Sequence, residues 1–145
     1  MPATNFAKTI IVDSGYWYAL YSPRDQYHSE AQEKESFLQT RNVLIPWPSL
    51  YETVNSRFVK NRIALWNFET FLRLPHVIRL SDDQYREAAL EASLEMALIR
   101  ARNIALVDMV IRLILEDTNV RKHGLLTFNP ADFTDVCWQH QIEML

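Results

Sequence analysis

The chain has 145 residues, 48% hydrophobic and 12% aromatic, with only two glycines, which fits one well-filled core of ordinary domain size and excludes a disordered polymer. Fifteen Lys and Arg against 18 Asp and Glu leave a net charge of −3, which excludes a globally basic nucleic-acid binder, so any contact with phosphates has to be local. The single cysteine, Cys137, excludes an intramolecular disulfide and a cysteine-built zinc cage, and fits a reducing cytoplasm.

At the N-terminus, Met1 to Lys8 has no apolar core of leader length, and no later run approaches the roughly 18 apolar residues of a bilayer span, so neither export nor membrane insertion is expected. Thr9 to Asp13 (TIIVD) is a short β-branched run ending in a carboxylate, and Ser14-Gly15 predicts that this buried strand opens into a turn. A polar helical pattern runs from Tyr27 to Gln39, Asn42 interrupts it, and Val43 to Ile45 predicts a second strand. Pro48 and Ser49 start an amphipathic helix that Leu50, Val54 and Phe58 carry to Lys60, with Glu52 in its first turn.

A further helix from about Arg62 to Leu74 gathers Leu65, Phe68, Phe71 and Leu72 on one face, and Pro75 stops it before a strand from His76 to Leu80. Ser81 with Gln84 three residues on is a capping-box signature for a helix reaching about Arg100. Asn103 marks a break, and Leu106 to Asp117 predicts a helix whose apolar face is Val107, Val110, Ile111, Ile114 and Leu115, with Asp108 near its start. Gly124 precedes the strand Leu125 to Thr127, Asn129-Pro130 marks a turn, and Gln141 to Met144 predicts an edge strand.

Strands alternating with helices predict a single soluble α/β domain over residues 1–145, a three-layer α/β/α sandwich around a central, mostly parallel sheet of four to five strands. Sites in such sheets lie beyond the carboxyl ends of the strands. Asp13 follows the first strand, Glu52 the second and Asp132 the fourth, while Asp108 opens the helix leading into the fourth, so all four acids have reason to meet at one rim. Carboxylates roughly 4 to 6 Å apart raise one another's pKa unless a cation or a shared proton compensates. Mg²⁺ and Mn²⁺ favour oxygen ligands, and Mg²⁺ keeps several waters, which leaves room for a phosphate oxygen and an attacking water.

Taken singly, each acid has an ordinary explanation: Asp13 caps a turn, Glu52 suits a first helical turn, and Asp132 caps a following helix. Asp108 is harder to explain as surface decoration, because it follows the apolar run IALV. His28, His76, His123 and His140 lack any metal-ligand spacing and read as structural or surface residues. Tyr16, Trp17, Tyr18 and Tyr21 read as a packed helix face or subunit contact, with stacking on unpaired bases as the alternative. Arg57, Lys60, Arg62, Arg100 and Arg102 are the local cations, read as a solvated helix face or, for Arg57, Lys60, Arg100 and Arg102, as contacts to an RNA backbone. The chain has no Gly-rich phosphate loop, no GxSxG and no Cys-His pair, which removes support for triphosphate hydrolysis and acyl transfer.

The segments TIIVDSGYWYALYSPRDQYHSEA, SLYETVNSRF, ALVDMVI and LLTFNPADF together resemble the PIN-domain nucleases, especially the VapC-type toxins of bacteria, over nearly the whole chain from Thr9 onward. The resemblance implies a metal-dependent endoribonuclease in which Asp13, Glu52, Asp108 and Asp132 are the acidic positions and Asp13, Asp108 and Asp132 hold Mg²⁺ or Mn²⁺. Asn129 and Thr127 match accessory polar positions, and Ser14 beside Asp13 joins them. It further implies a homodimer, an RNA substrate and a cognate antitoxin that enters the active-site groove. Two departures stand out: many members carry an aspartate where Asn129 stands, and a small hydroxyl residue where Ala105 precedes the third acid. The rival readings are a catalytically idle module that binds a protein, and a metal-dependent DNA nuclease or phosphatase built on the same acids.

Overall fold

The computed structural model describes residues 6–145, so Met1 to Asn5 of the N-terminal segment considered above lie outside the described residues. Five short strands, β1 (Thr9–Val12), β2 (Asn42–Pro46), β3 (Val77–Leu80), β4 (Gly124–Leu126) and β5 (Glu143–Met144), pair in parallel throughout, in the order β3-β2-β1-β4-β5. The sheet sits between helical layers, as the alternation of strand and helix requires. Period-two alternation decides which strand residues face which layer. Ile10, Val12, Val43, Ile45 and Leu126 pack into one core with α1 (Ser14–Tyr21), α2 (His28–Glu33), α3 (Glu35–Thr40) and α5 (Arg62–Leu72). Ile11, Leu44 and Leu125 face the other core, built from α6 (Arg86–Leu98), α7 (Leu106–Glu116) and α8 (Thr134–Gln139). Because both faces of β1, β2 and β4 are covered, these strands read as continuous apolar runs.

The chain lays β2 and β3 on one side of β1 and then returns to place β4 on the other. The order therefore reverses at β1, and the crevice beyond the carboxyl ends of β1 and β4 is the switch point where open α/β sheets bind their ligands.

Several local readings are corrected. No turn follows Asp13: its carboxylate accepts from the Ser14 amide at 2.7 Å and caps α1 directly. The helical pattern of Tyr27 to Gln39 is split at Lys34 into α2 and α3. The helix begun by Pro48 is α4 (Trp47–Thr53), which ends well short of Lys60. Asn55 accepts from the amides of Arg57 and Phe58, both at 3.0 Å, and this side-chain turn displaces the helix, leaving only a 3₁₀ turn at Phe58–Lys60. Glu52 therefore lies in the last turn of α4, not the first, and gains nothing from a helix N-terminus.

Ser81 does not cap α6; its hydroxyl accepts from the Asp83 amide at 3.3 Å in a preceding turn, and the helix begins at Arg86. Its end is set by Ala101, whose φ of 54° breaks the helical run before Asn103. Among the described residues no helix is long and apolar enough to cross a membrane.

Candidate active site

Four elements bring the acids to the switch point. Asp13 leaves the carboxyl end of β1 as the cap of α1, and Glu52 comes from the end of α4, which follows β2. Asp108 sits in the first turn of α7, and Asp132 ends the 3₁₀ turn Pro130–Asp132 that follows β4. Neutral donors join them in one line of hydrogen bonds. The Ser14 hydroxyl donates to Glu52 at 2.7 Å and also lies 3.4 Å from Asp13. The other Asp13 oxygen accepts from the Thr127 hydroxyl at 2.9 Å, and that hydroxyl accepts from the Asn129 amide at 3.0 Å. The Asn129 side chain donates to Asp132 at 2.8 Å, and the carboxyl groups of Asp132 and Asp108 are close enough to share a proton. Tyr18 holds Glu52 from the other side, donating to its carbonyl and accepting from Asn55.

Negative charge accumulates along this line without compensation. Burial is the main cause that raises the Asp13 carboxyl, opposed by donation from Thr127 and Ser14 and reinforced by the charge on Glu52. Asp108 is pushed up to about 8, first by burial, then by the hydrogen bond with Asp132 and the charges of Asp13, Asp132 and Glu52. Among the described residues, no Lys, Arg or His forms an ion pair with any of the four carboxylates. Among those residues, too, no three of His, Cys, Asp or Glu are grouped so as to hold a metal ion together; the acids are linked through Ser14, Thr127 and Asn129 instead. An all-oxygen donor set with surplus negative charge fits a hard divalent cation, since Mg²⁺ takes only one or two carboxylates directly and fills the rest of its shell with water.

The predicted cations separate. Arg57 lines a cavity of about 510 Å³ that includes Asp13 and Asn129, whereas Lys60 lines a different groove with Ile63 and Trp66. Arg100 is exposed and reaches Glu95 at 3.9 Å. Arg102 lies by the Asp132 turn, donating to the Ala131 carbonyl at 3.3 Å, but it is paired with Asp135 at 3.1 Å. Tyr16 and Trp17 are buried core residues, while Tyr18 and Tyr21 line the cavity beside Asp13. His28, His76 and His123 each bond to main-chain atoms, of Ala19, Leu38 and Thr9, in keeping with a structural role.

Sequence reasoning missed Arg112 and Asp135. Arg112, buried in α7 one turn after Asp108, donates to the Asp132 carbonyl at 2.8 Å and grips both Asp135 oxygens at 2.7 and 2.9 Å. It holds the Asp135 carboxyl well below the usual carboxylate range. The signal was present: a lone arginine inside the apolar run MVIRLIL needs a buried partner.

No family model matches the chain, and comparison with curated proteins gives no match. Solved structures do match. VapC20 of Mycobacterium tuberculosis, a sarcin-ricin loop cleaving toxin, is 18% identical, with 87% of this chain and 94% of that chain covered at a TM-score of 0.67. VapBC2 from Rickettsia felis, bound to a DNA fragment from its promoter, is 16% identical, with 94% and 97% covered at a TM-score of 0.57. With its parallel five-stranded sheet and its acids at the switch point beside β1, this chain has the PIN-domain fold of those VapC proteins.

Proposed function

We propose that the chain is a Mg²⁺- or Mn²⁺-dependent endoribonuclease that hydrolyses RNA phosphodiester bonds with water, and that it is the toxin of a toxin–antitoxin pair. The observation that carries this reading is the line Glu52, Ser14, Asp13, Thr127, Asn129, Asp132, Asp108, which concentrates four acids at the switch point with no cation paired to them among the described residues. Asp13, Asp108 and Asp132 would hold the metal, which when bound supplies Lewis acidity to a phosphoryl oxygen and acidifies a water. Thr127 and Ser14 fix the two oxygens of Asp13, and Asn129 fixes Asp132, so the carboxylates meet the substrate already oriented. Glu52 is the exposed member of the four, anchored by Ser14, and its free oxygen takes the proton of the attacking water. Arg57 at the cavity supplies positive charge to the RNA backbone, with Arg102, Lys60 and Arg100 as outer contacts.

The likeness to VapC20, a sarcin-ricin loop cleaving toxin, supports RNA as substrate, and the VapBC2 likeness supports an antitoxin partner. A homodimer is supported by the exposed apolar residues Leu90, Leu94 and Leu98 along α6 and Ile99 just after it. The deciding experiment incubates purified protein with structured and single-stranded RNA and with DNA, in Mn²⁺ or Mg²⁺, beside EDTA and Asp108→Asn controls. Metal-dependent cutting of RNA that both controls abolish is the expected result. Cutting of DNA alone, or cutting by Asp108→Asn at the wild-type rate, would sink the reading.

A further inference from the structure

The cavity of about 510 Å³ beside Asp13 is walled by aromatic rings from separate parts of the chain. Tyr18 and Tyr21 come from α1, Phe58 from the 3₁₀ turn after α4, and Tyr27 and Phe128 from loops around α2 and β4. Tyr27 and Phe128 lie parallel, with centroids 4.7 Å apart and planes at 5°, and Tyr21 meets Phe58 at 6.3 Å. These rings supply much of the apolar lining, although Phe128 is itself stacked by Tyr27 and Tyr16 and carries the Lys34 ammonium over its ring, and some polar groups at the edge are unspent. Among the described residues the Arg57 guanidinium has no ion pair, and neither the Gln26 side chain nor the Asn61 side-chain nitrogen has a hydrogen-bond partner. The volume falls within the roughly 300 to 1,000 Å³ of small-ligand sites.

Gly15 stands on the same wall, directly after Asp13 and Ser14, and a Cβ built on it meets nothing within 4 Å. This glycine has no positive φ and needs none of its special backbone freedom. What its missing side chain provides is an open ledge between the cavity and the acids.

We propose that this cavity is a nucleobase subsite: it takes the ring of one unpaired RNA nucleotide across the Gly15 ledge, so that the attached phosphate is presented to the acids. The proposal rests on the ribonuclease reading for its purpose but on the cavity for its substance. A paired base is inside a helix too wide for the space, whereas an unpaired base offers a stacking face and free edges. RNA is favoured over a protein side chain as occupant because Asp13 and Asn129, both members of the acid line, form part of the same wall. Whatever fills the cavity abuts the reacting groups, and the substrate must be there when the chemistry occurs.

The test uses full-length wild type in EDTA, with adenosine, guanosine, cytidine and uridine as neutral probes, ribose as the base-free control, and N-acetylphenylalaninamide as a protein-like control. Saturation-transfer NMR and titration give contact and affinity. At least one nucleoside is expected to bind about tenfold or more tightly than ribose, with transfer strongest to its base protons. Gly15→Leu should reduce that affinity to the level of ribose while melting at or above the wild-type temperature, because it removes a helical glycine and meets open space. Gly15→Ala should give an intermediate loss.

Nucleosides no tighter than ribose, or a folded Gly15→Leu that binds as wild type does, would overturn the subsite. So would N-acetylphenylalaninamide binding as tightly as the best nucleoside, which would assign the cavity to a protein segment. Because no step of the test needs cleavage, nucleoside binding by a protein that cuts no RNA would leave the subsite standing and remove only the ribonuclease reading.

Discussion

Arg112 donates to the main-chain carbonyl of Asp132 at 2.8 Å from a position four residues after Asp108, so one helix carries both an acid of the site and the clamp on its neighbour. The same guanidinium spans both oxygens of Asp135, which ties α7 to α8 behind the acids. Only a planar fork can hold three acceptors in this arrangement. Arg112→Lys is therefore expected to lose about 1 to 3 kcal/mol of stability in chemical denaturation. Cleavage should drop about 10- to 100-fold, chiefly in kcat, because Arg112 touches the backbone that carries Asp132 and not the carboxylate. A variant with wild-type kcat and a raised KM would remove Arg112 from its role in positioning Asp132.

Asp108 keeps its proton in the folded chain up to about pH 8, against an ordinary value of 3.8. The folded state thus binds a proton that the unfolded state has released across that window. This group's contribution to stability is complete below pH 3.8 and is lost as pH rises through about 8. In EDTA, wild type should lose melting temperature between pH 5 and 9 relative to Asp108→Asn, with the variant the more stable at the alkaline end. Its cleavage should fall at least about 100-fold. Parallel melting profiles for the two proteins would show that Asp108 is not held protonated by its neighbours.

Ala105 is the cap of α7, and it offers no side chain to the open amides of the helix that carries Asp108. Ala105→Ser supplies an oxygen for the amide of Val107 or Asp108, and should stabilise the protein by about 1 kcal/mol, or about 3 °C in Tm. Thermal melts decide it. An unchanged or lower Tm would mean that the α7 N-terminus is satisfied in some other way.

Why the sheet was legible and parts of the helical layer were not follows from where the information resides. TIIVD and the VLI of Val43 to Ile45 are buried on both faces, so composition alone marks them, and the switch-point rule then places Asp13 and Asp132 without reference to any helix boundary, while Asp108 needs only the start of the helix leading into β4. Leu50, Val54 and Phe58 keep a helical period, but the Asn55 side chain captures two amides and ends the helix, a competition that apolar spacing does not register. Glu52 was consequently assigned to the wrong turn, though not to the wrong neighbourhood: Ser14 and Tyr18 of α1 hold it against the acids. Arg112 escaped because its partners, the Asp132 carbonyl and Asp135, lie 20 and 23 residues away.

Asn129 supplies a neutral amide that donates to Asp132, at 2.8 Å, and so spreads the charge at this end of the line. Asn129→Asp replaces that donor with another carboxylate. Without metal the variant should be less stable by about 1 kcal/mol, kept small because both side chains reach water. With Mn²⁺ its gain in Tm should exceed that of wild type, since a cation that binds only the folded state stabilises it by mass action. Melts in EDTA and in a Mn²⁺ titration make the comparison, and an Mn²⁺ gain no larger than that of wild type would argue against a cation at Asp132.

Leu90, Leu94 and Leu98 recur every four residues along α6, and Leu98 and Ile99 remain 82% and 77% exposed, while Ala89 is the buried residue of that helix. A helix with so little apolar surface turned inward and so much turned outward is suited to covering by a second copy. If the proposed homodimer forms through this face, wild type should sediment as a dimer and Leu94→Glu combined with Leu98→Glu as a monomer. Its monomer fold should be nearly untouched, since each exposed change is worth within about 0.5 kcal/mol. If the double variant sediments as the wild type does, the α6 stripe is not the dimer contact. If it becomes monomeric and still cleaves RNA, each subunit carries a complete site, as expected when Asp13, Glu52, Asp108 and Asp132 all come from one chain.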